Sequence, residues 1–174
     1  DTLHLLRDHD YPQDRVHLYE HSPGRIRAVD EDDPEHPLNK NPESHPVVGQ
    51  MIPAYMGTAL WSSMDDSDEE GGGGEPMDAN YGVVDIHPNT RREMAADVAD
   101  FYKSLSPDVR SAVDANPEQA GHDFWLTRNG HGSGFWAREY PNHEDLDVSR
   151  HLSDAAKTHG SQYLYVGDDG MIHG

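Results

Sequence analysis

The sequence predicts an α+β domain, with a small antiparallel sheet of C-terminal hairpins packed against three to four helices and joined by long acidic loops. Three observations carry this. Several segments space their apolar residues as a helix does, and paired extended runs flank glycine-rich turns in the last third of the chain. Acidic stretches with little apolar content separate them. The organisation expected is an N-terminal hairpin with an acidic linker over residues 1–50. An acidic α+β domain follows over 51–174, with a mobile loop at 64–78.

Each element has its own reason. Val16 to Glu20 and Arg25 to Val29 are extended runs around Ser22-Pro23-Gly24, which predicts a hairpin. Asp30 to Pro46 holds four prolines and six acids and is expected to be a linker. Val47 to Met64 brings Met51, Tyr55, Ala59 and Leu60 near helical spacing, with Pro53 in the first turn. Met64 to Asp78 has seven acids and four consecutive glycines, too little apolar surface to offset its ordering entropy. A helix follows to about Ser104, its stripe made of Met94, Val98, Phe101 and Tyr102. Ser106-Pro107 opens another, to about Ala115.

The aromatic runs His122 to Arg128 and Gly134 to Glu139 flank Asn129-Gly130-His131-Gly132-Ser133 and are expected to pair as a hairpin. Asp147 to His159 reads as a helix with Leu152, Ala155 and Ala156 inward and Gly160 at its end. Gln162 to Val166 and Met171 to His173 flank Gly167-Asp168-Asp169-Gly170 as a second hairpin.

Charge narrows the function classes. The chain has 33 acidic residues against 13 Lys and Arg, for a formal net charge of −20. Phosphate contacts need clustered cations, so nucleic acid and anionic membranes are not expected partners. No run of 18 apolar residues exists to cross a bilayer. The first ten residues carry Arg7 and three Asp around a short Leu3–Leu6 patch, unlike a signal peptide. The expected location is the cytoplasm of a host cell, with virion association left open. Without cysteine there is neither a disulfide framework nor a thiolate metal site.

The acidity itself has three readings. The preferred one is adaptation to molar salt, where a Debye length of about 3 Å screens repulsion among surface carboxylates. Scarce lysine (Lys40, Lys103, Lys157) fits it. A DNA mimic needs ordered rows of acid, yet the acid here is densest in a glycine-rich loop. Cation binding is the third. Asp66-x-Asp68-x-Glu70-Gly71 starts like a calcium loop, but its twelfth position is Met77. His122-Asp123 has no further ligands at metal spacing, and His143-Glu144 lacks a second histidine four residues on. The glycines around His131 form neither a nucleophile elbow nor a dinucleotide fingerprint.

The stretch AGHDFWLTRNGHGSGFWAR and the later LYVGDDGMI, with ALWSSMDD and ANYGVVDI upstream, resemble a group of uncharacterised small acidic proteins. These are encoded by tailed bacteriophages, prophages and related mobile elements. The resemblance covers roughly residues 55 to 174, and the aromatic–glycine stretch is its most specific part. Ala137 departs from it, since the related pattern has an acid after the second Trp. A viral or mobile-element origin is implied, and no activity.

The expected function is therefore a non-enzymatic accessory protein that binds a protein partner, with no cofactor. Alternation along a strand buries only one of each adjacent aromatic pair, Phe124-Trp125 and Phe135-Trp136. Trp125, Arg128, His131 and Trp136 are the candidate binding residues. The alternatives are a metal-dependent hydrolase using His122, Asp123 and His131, and an acidic mimic blocking a nucleic-acid enzyme. Salt adaptation makes a direct prediction. Melting followed by circular dichroism rises steadily from ~0.1 M to ~2 M KCl as repulsion is screened. A flat melting temperature over that range contradicts it.

Overall fold

Four of the six α-helices among the described residues begin with proline, whose missing N–H costs nothing in a first turn. They are α1 (Pro37–Lys40), α3 (Pro88–Ser104), α4 (Pro107–Ala115) and α5 (Pro117–Arg128). The residue before the proline often caps the helix. His36 Nδ1 accepts the Leu38 amide at 3.2 Å, and His87 Nδ1 the Asn89 amide at 3.2 Å. Asn116 Oδ1 accepts the Gln119 amide at 3.3 Å. The other two helices are α2 (Val48–Ser62) and α6 (Val148–Lys157), the latter capped by Asp147 on the Arg150 amide. The structure is a computed structural model that describes residues 16–22, 25–30, 33–67, 74–141 and 145–174.

The fold is α+β, but its β component differs from the expected C-terminal sheet. Three separate two-stranded antiparallel ladders occur among the described residues. β1 (Val16–Ser22) pairs with β2 (Arg25–Asp30), as the sequence predicts. β3 (Met64–Asp65) pairs with β4 (Glu75–Pro76) across the base of the acidic loop. Residues 68–73 of that loop lie outside the described residues, as do 142–144. β5 (Tyr165–Val166) pairs with β6 (Ile172–His173), and Gly170 takes the positive φ of 74° that the tight turn needs. This hairpin is docked by an Ile86–Ile172 bridge and a 2.8 Å bond from the His87 amide to the Ile172 carbonyl.

The expected hairpin from His122 to Arg138 is not a hairpin. Its first arm is the second half of α5, and its second arm is a 3-10 turn over Phe135–Ala137. The physical reason is burial on most sides. From Ala120 to Arg128 every residue except His122 is buried, so the helix has no polar face to mark its 3.6-residue period. Asn116-Pro117 was the remaining helix signal.

Two smaller expectations also change. The segment read as a linker holds α1 and a 3-10 turn over Pro42–Ser44, and Leu38 is fully buried in the core. Pro53 stands in the second turn of α2, on its exposed side, where the lost N–H leaves the Gly49 carbonyl without its i+4 donor.

The core lies where α2, α3, α5 and α6 meet. Phe124 stands edge-on to Phe101 at 4.3 Å and to Tyr55 at 5.1 Å between ring centroids. Tyr55 also meets Trp125 edge-on at 5.3 Å, and Phe135 stacks on Phe101 at 5.6 Å. Such edge and offset contacts add about 0.5–1.5 kcal/mol each beyond burial.

Close approach of α2 and α5 depends on Gly121, where an added Cβ would sit 2.3 Å from the Met51 carbonyl oxygen. That neighbour is backbone and cannot swing aside. Gly57, also helical, has open space at its Cβ position. G121A is therefore expected to destabilise by at least ~2 kcal/mol through overpacking. G57A is expected to stabilise by about 0.5–1 kcal/mol through helix propensity. Urea unfolding of the two variants checks this, and a similar effect from both contradicts the close packing.

Candidate functional site

The encased helix α5 carries four of the candidate site residues that the sequence singles out, His122, Asp123, Trp125 and Arg128, and its burial decides their roles. Trp125 is in the core, its indole Nε1 donating to Ser62 Oγ at 2.8 Å. Its ring is sealed from solvent.

Arg128, at the last turn of α5, is buried as well. Its Nη1 donates to Tyr55 Oη at 2.8 Å and to Asp97 Oδ2 at 2.7 Å. Nε donates to the Gly160 carbonyl at 2.8 Å and Nη2 to the His159 carbonyl at 3.0 Å. One guanidinium thus ties α5 to α2, α3 and the turn after α6. Gly160 reaches that turn with a φ of 67°. Burial pushes the Tyr55 hydroxyl well above its ordinary pKa, against the pull of Arg128, so the pair is a cation on a neutral phenol. Burial works against the charge of Arg128, but Tyr55 and Asp97 outweigh it and raise its pKa.

Asp123, one turn earlier, is completely buried and is the second polar hub. Its carboxylate accepts from Gln119 Nε2 at 2.9 Å, Tyr140 Oη at 2.9 Å and Arg138 Nε at 3.3 Å. His122 Nδ1 lies 3.0 Å away. Burial first, and then the Asp123 charge, push the Tyr140 pKa up, so its hydroxyl stays a donor. These bonds fasten the 138–140 segment to α5. A buried carboxylate with this many donors is satisfied structurally.

His122 is half-buried at the rim of a groove between α2 and α5, its ring stacked 5.9 Å from Trp61. Gly57, Trp61, Gln119 and His122 are among the residues that line this groove. His131 is exposed in the turn after α5, and no His131 contact joins the His122–Asp123 pair. Among the described residues, no three His, Asp or Glu side chains are grouped to hold a metal ion. The His143-Glu144 pair and Asp68 and Glu70 of the calcium-like loop lie outside the described residues.

The chain matches no protein-family model, no curated protein and no solved structure. The chemistry must be read from its own surface.

Of the four candidate binding residues, Trp136 and His131 remain on the surface. Trp136 is 63% exposed, while its neighbour Phe135 is buried. Sequence reasoning missed a second exposed apolar group. Trp61 (47%), Met64 (45%), Tyr163 (68%) and Tyr165 (50%) are all solvent-exposed. Trp61 and Met64 span the step from α2 into β3, and β3 packs beside β5, which holds Tyr165. The Tyr163 hydroxyl reaches Asp66 Oδ2 at 3.4 Å, and Tyr165 stacks on His173 at 5.6 Å. The rim is acidic, with Asp65, Asp66 and Glu75. No helix of the described residues is long and apolar enough to cross a membrane.

The two classes of aromatic and cationic residue separate by mutation. R128A leaves Asp97, Tyr55 and two carbonyls without their shared donor and is expected to cost about 3–5 kcal/mol. W136A removes an exposed ring and is expected to change stability by no more than ~0.5 kcal/mol. Denaturant midpoints measure both. An R128A variant as stable as W136A contradicts the structural role of the guanidinium.

Proposed function

We propose that this is a non-enzymatic acidic accessory protein of viral or mobile-element origin, adapted to high salt, that binds a protein partner. The observation that carries the reading is the exposure of Trp61, Met64, Tyr163 and Tyr165, borne by the end of α2 and by the β3 and β5 region, with β3 packed beside β5. Contiguous exposed aromatics rimmed by polar residues mark interaction surfaces on soluble domains. The carboxylates of Asp65, Asp66 and Glu75 beside these rings favour a partner surface carrying Arg or Lys. Cations are attracted both to the acids and to the aromatic faces. A net charge of −20 steers such a partner from a distance, and does so less strongly in high salt.

Catalysis has less behind it. The His122–Asp123 pair is the most enzyme-like feature, and its carboxylate is consumed by hydrogen bonds that hold the 138–140 segment. Trp136 and His131, both exposed, are the other candidate contact residues.

The test is retention of a host protein on immobilised chain in matched salt. Wild type is expected to hold a defined partner, and the W61A/Y165A double variant to lose at least ~2 kcal/mol, roughly 30-fold in affinity. W136A serves as the comparison. Loss with W136A alone moves the contact to the Phe135 turn, and absence of any retained partner contradicts the reading.

A further inference from the structure

Cations are scarce in this chain, yet three of them line one pocket. A cavity of about 460 Å³ lies between α3 and the segment from Asn39 to Glu43. The α3 wall is a single stripe. Pro88, Arg91, Arg92, Ala95 and Ala96 recur at the i, i+3, i+4, i+7, i+8 spacing of one helix face. The two alanines keep that wall low, and the two arginines stand at its N-terminal end. Lys40 and the Asn41 amide are on the opposite wall, and Glu43 is the one acid in the lining.

The arginines have no structural employment that accounts for them. In a chain with 33 carboxylates, no ion pair is formed by Arg91 among the described residues, and its Nε is buried without a hydrogen-bond partner. Among the described residues, Arg92 bonds the neutral side-chain oxygen of Asn89. Lys40 reaches Glu35 at 2.8 Å, an exposed pair on the solvent side. Helix stability does not explain the placement either. α3 has no acid in its first turn, and cations near a helix N-terminus oppose the macrodipole. Arg128 and Arg138, by contrast, are paired with Asp97 and Asp123.

We propose that this pocket binds a small phosphate-bearing molecule. Two guanidinium-bearing residues on one wall offer forked donors that match phosphate oxygens in pairs, and Lys40 adds a point charge on the opposite wall. The positive end of a 17-residue helix lies at the same corner and favours an anion there. The volume falls within the range of small-molecule sites. The inference stands independently of the protein-binding edge, since the two share no residue.

The experiment is titration calorimetry of the full chain with pyrophosphate, at fixed ionic strength so that screening is constant. Wild type is expected to show saturable binding below ~10 mM. R91Q is expected to weaken it at least about tenfold, because a charged bidentate donor is lost. R150Q, a change at an exposed residue on α6, is expected to leave it unaltered. Circular dichroism checks that R91Q is folded. If it is not, R92Q is read in its place with the same expectation. Citrate is titrated in parallel. The proposal is overturned by absence of saturable pyrophosphate binding, by equal binding in wild type and both arginine variants, or by citrate binding while pyrophosphate does not.

Discussion

A single buried guanidinium constrains the arrangement of the helices. Arg128 offers its donors to acceptors on α2, on α3 and on the turn after α6, all within 3.0 Å. Those four bonds are compatible only if the ends of these elements converge on the C-terminus of α5. The aromatic core beneath is then fixed in depth. Phe124, one turn before Arg128, meets both Tyr55 and Phe101, and the Arg128 guanidinium lies 5.7 Å from its ring. Burying a charge is costly unless it is paired and hydrogen-bonded, and here Asp97 pairs Arg128 while four of its five N–H donors are used. Asp97 remains partly exposed and supplies the counter-charge from the rim.

From that constraint the roles of the neighbouring residues follow. α5 must lie deep enough to carry Arg128 inward, so Trp125 and Asp123 are carried inward too. Asp123 then requires donors, and the segment after the Phe135 turn supplies Arg138 and Tyr140. Gly121 lets α2 close over the helix, and Gly134 passes against Thr127, where a Cβ would meet the hydroxyl at 2.1 Å. The most distinctive stretch of the sequence is thus spent on architecture. What remains for recognition is peripheral: the aromatic edge around the two short ladders, and the cationic pocket at the start of α3.

Helices with clear punctuation were legible in the sequence. Ser106-Pro107 and His87-Pro88 place proline at a helix start, and the Asp147-to-Gly160 frame combines a cap, a one-sided apolar stripe and a stop. The pairing of β1 with β2 and the hairpin at Asp169-Gly170 were legible too, the latter because its turn demands glycine. α5 was not. Helical periodicity is a contrast between a wet face and a dry one, and a helix buried on nearly every side loses the contrast. The site suffered equally. Trp125 and Arg128 read as surface residues only while the segment was taken for a half-buried strand. Lys40 and Arg91 are 51 positions apart, so no local pattern announces that they face one pocket. Asn116-Pro117 was the available clue to α5, and the exposed edge had none.

The most direct measurement is exchange of the Arg128 side-chain Nε–H with solvent, followed by nitrogen-15 NMR. A guanidinium held by Gly160, His159, Tyr55 and Asp97 predicts a resolved Nε–H that exchanges only as fast as the core opens. An Nε–H that exchanges as rapidly as that of the exposed Arg150 would show Arg128 at the surface. The helix packing described here would then be wrong at its centre.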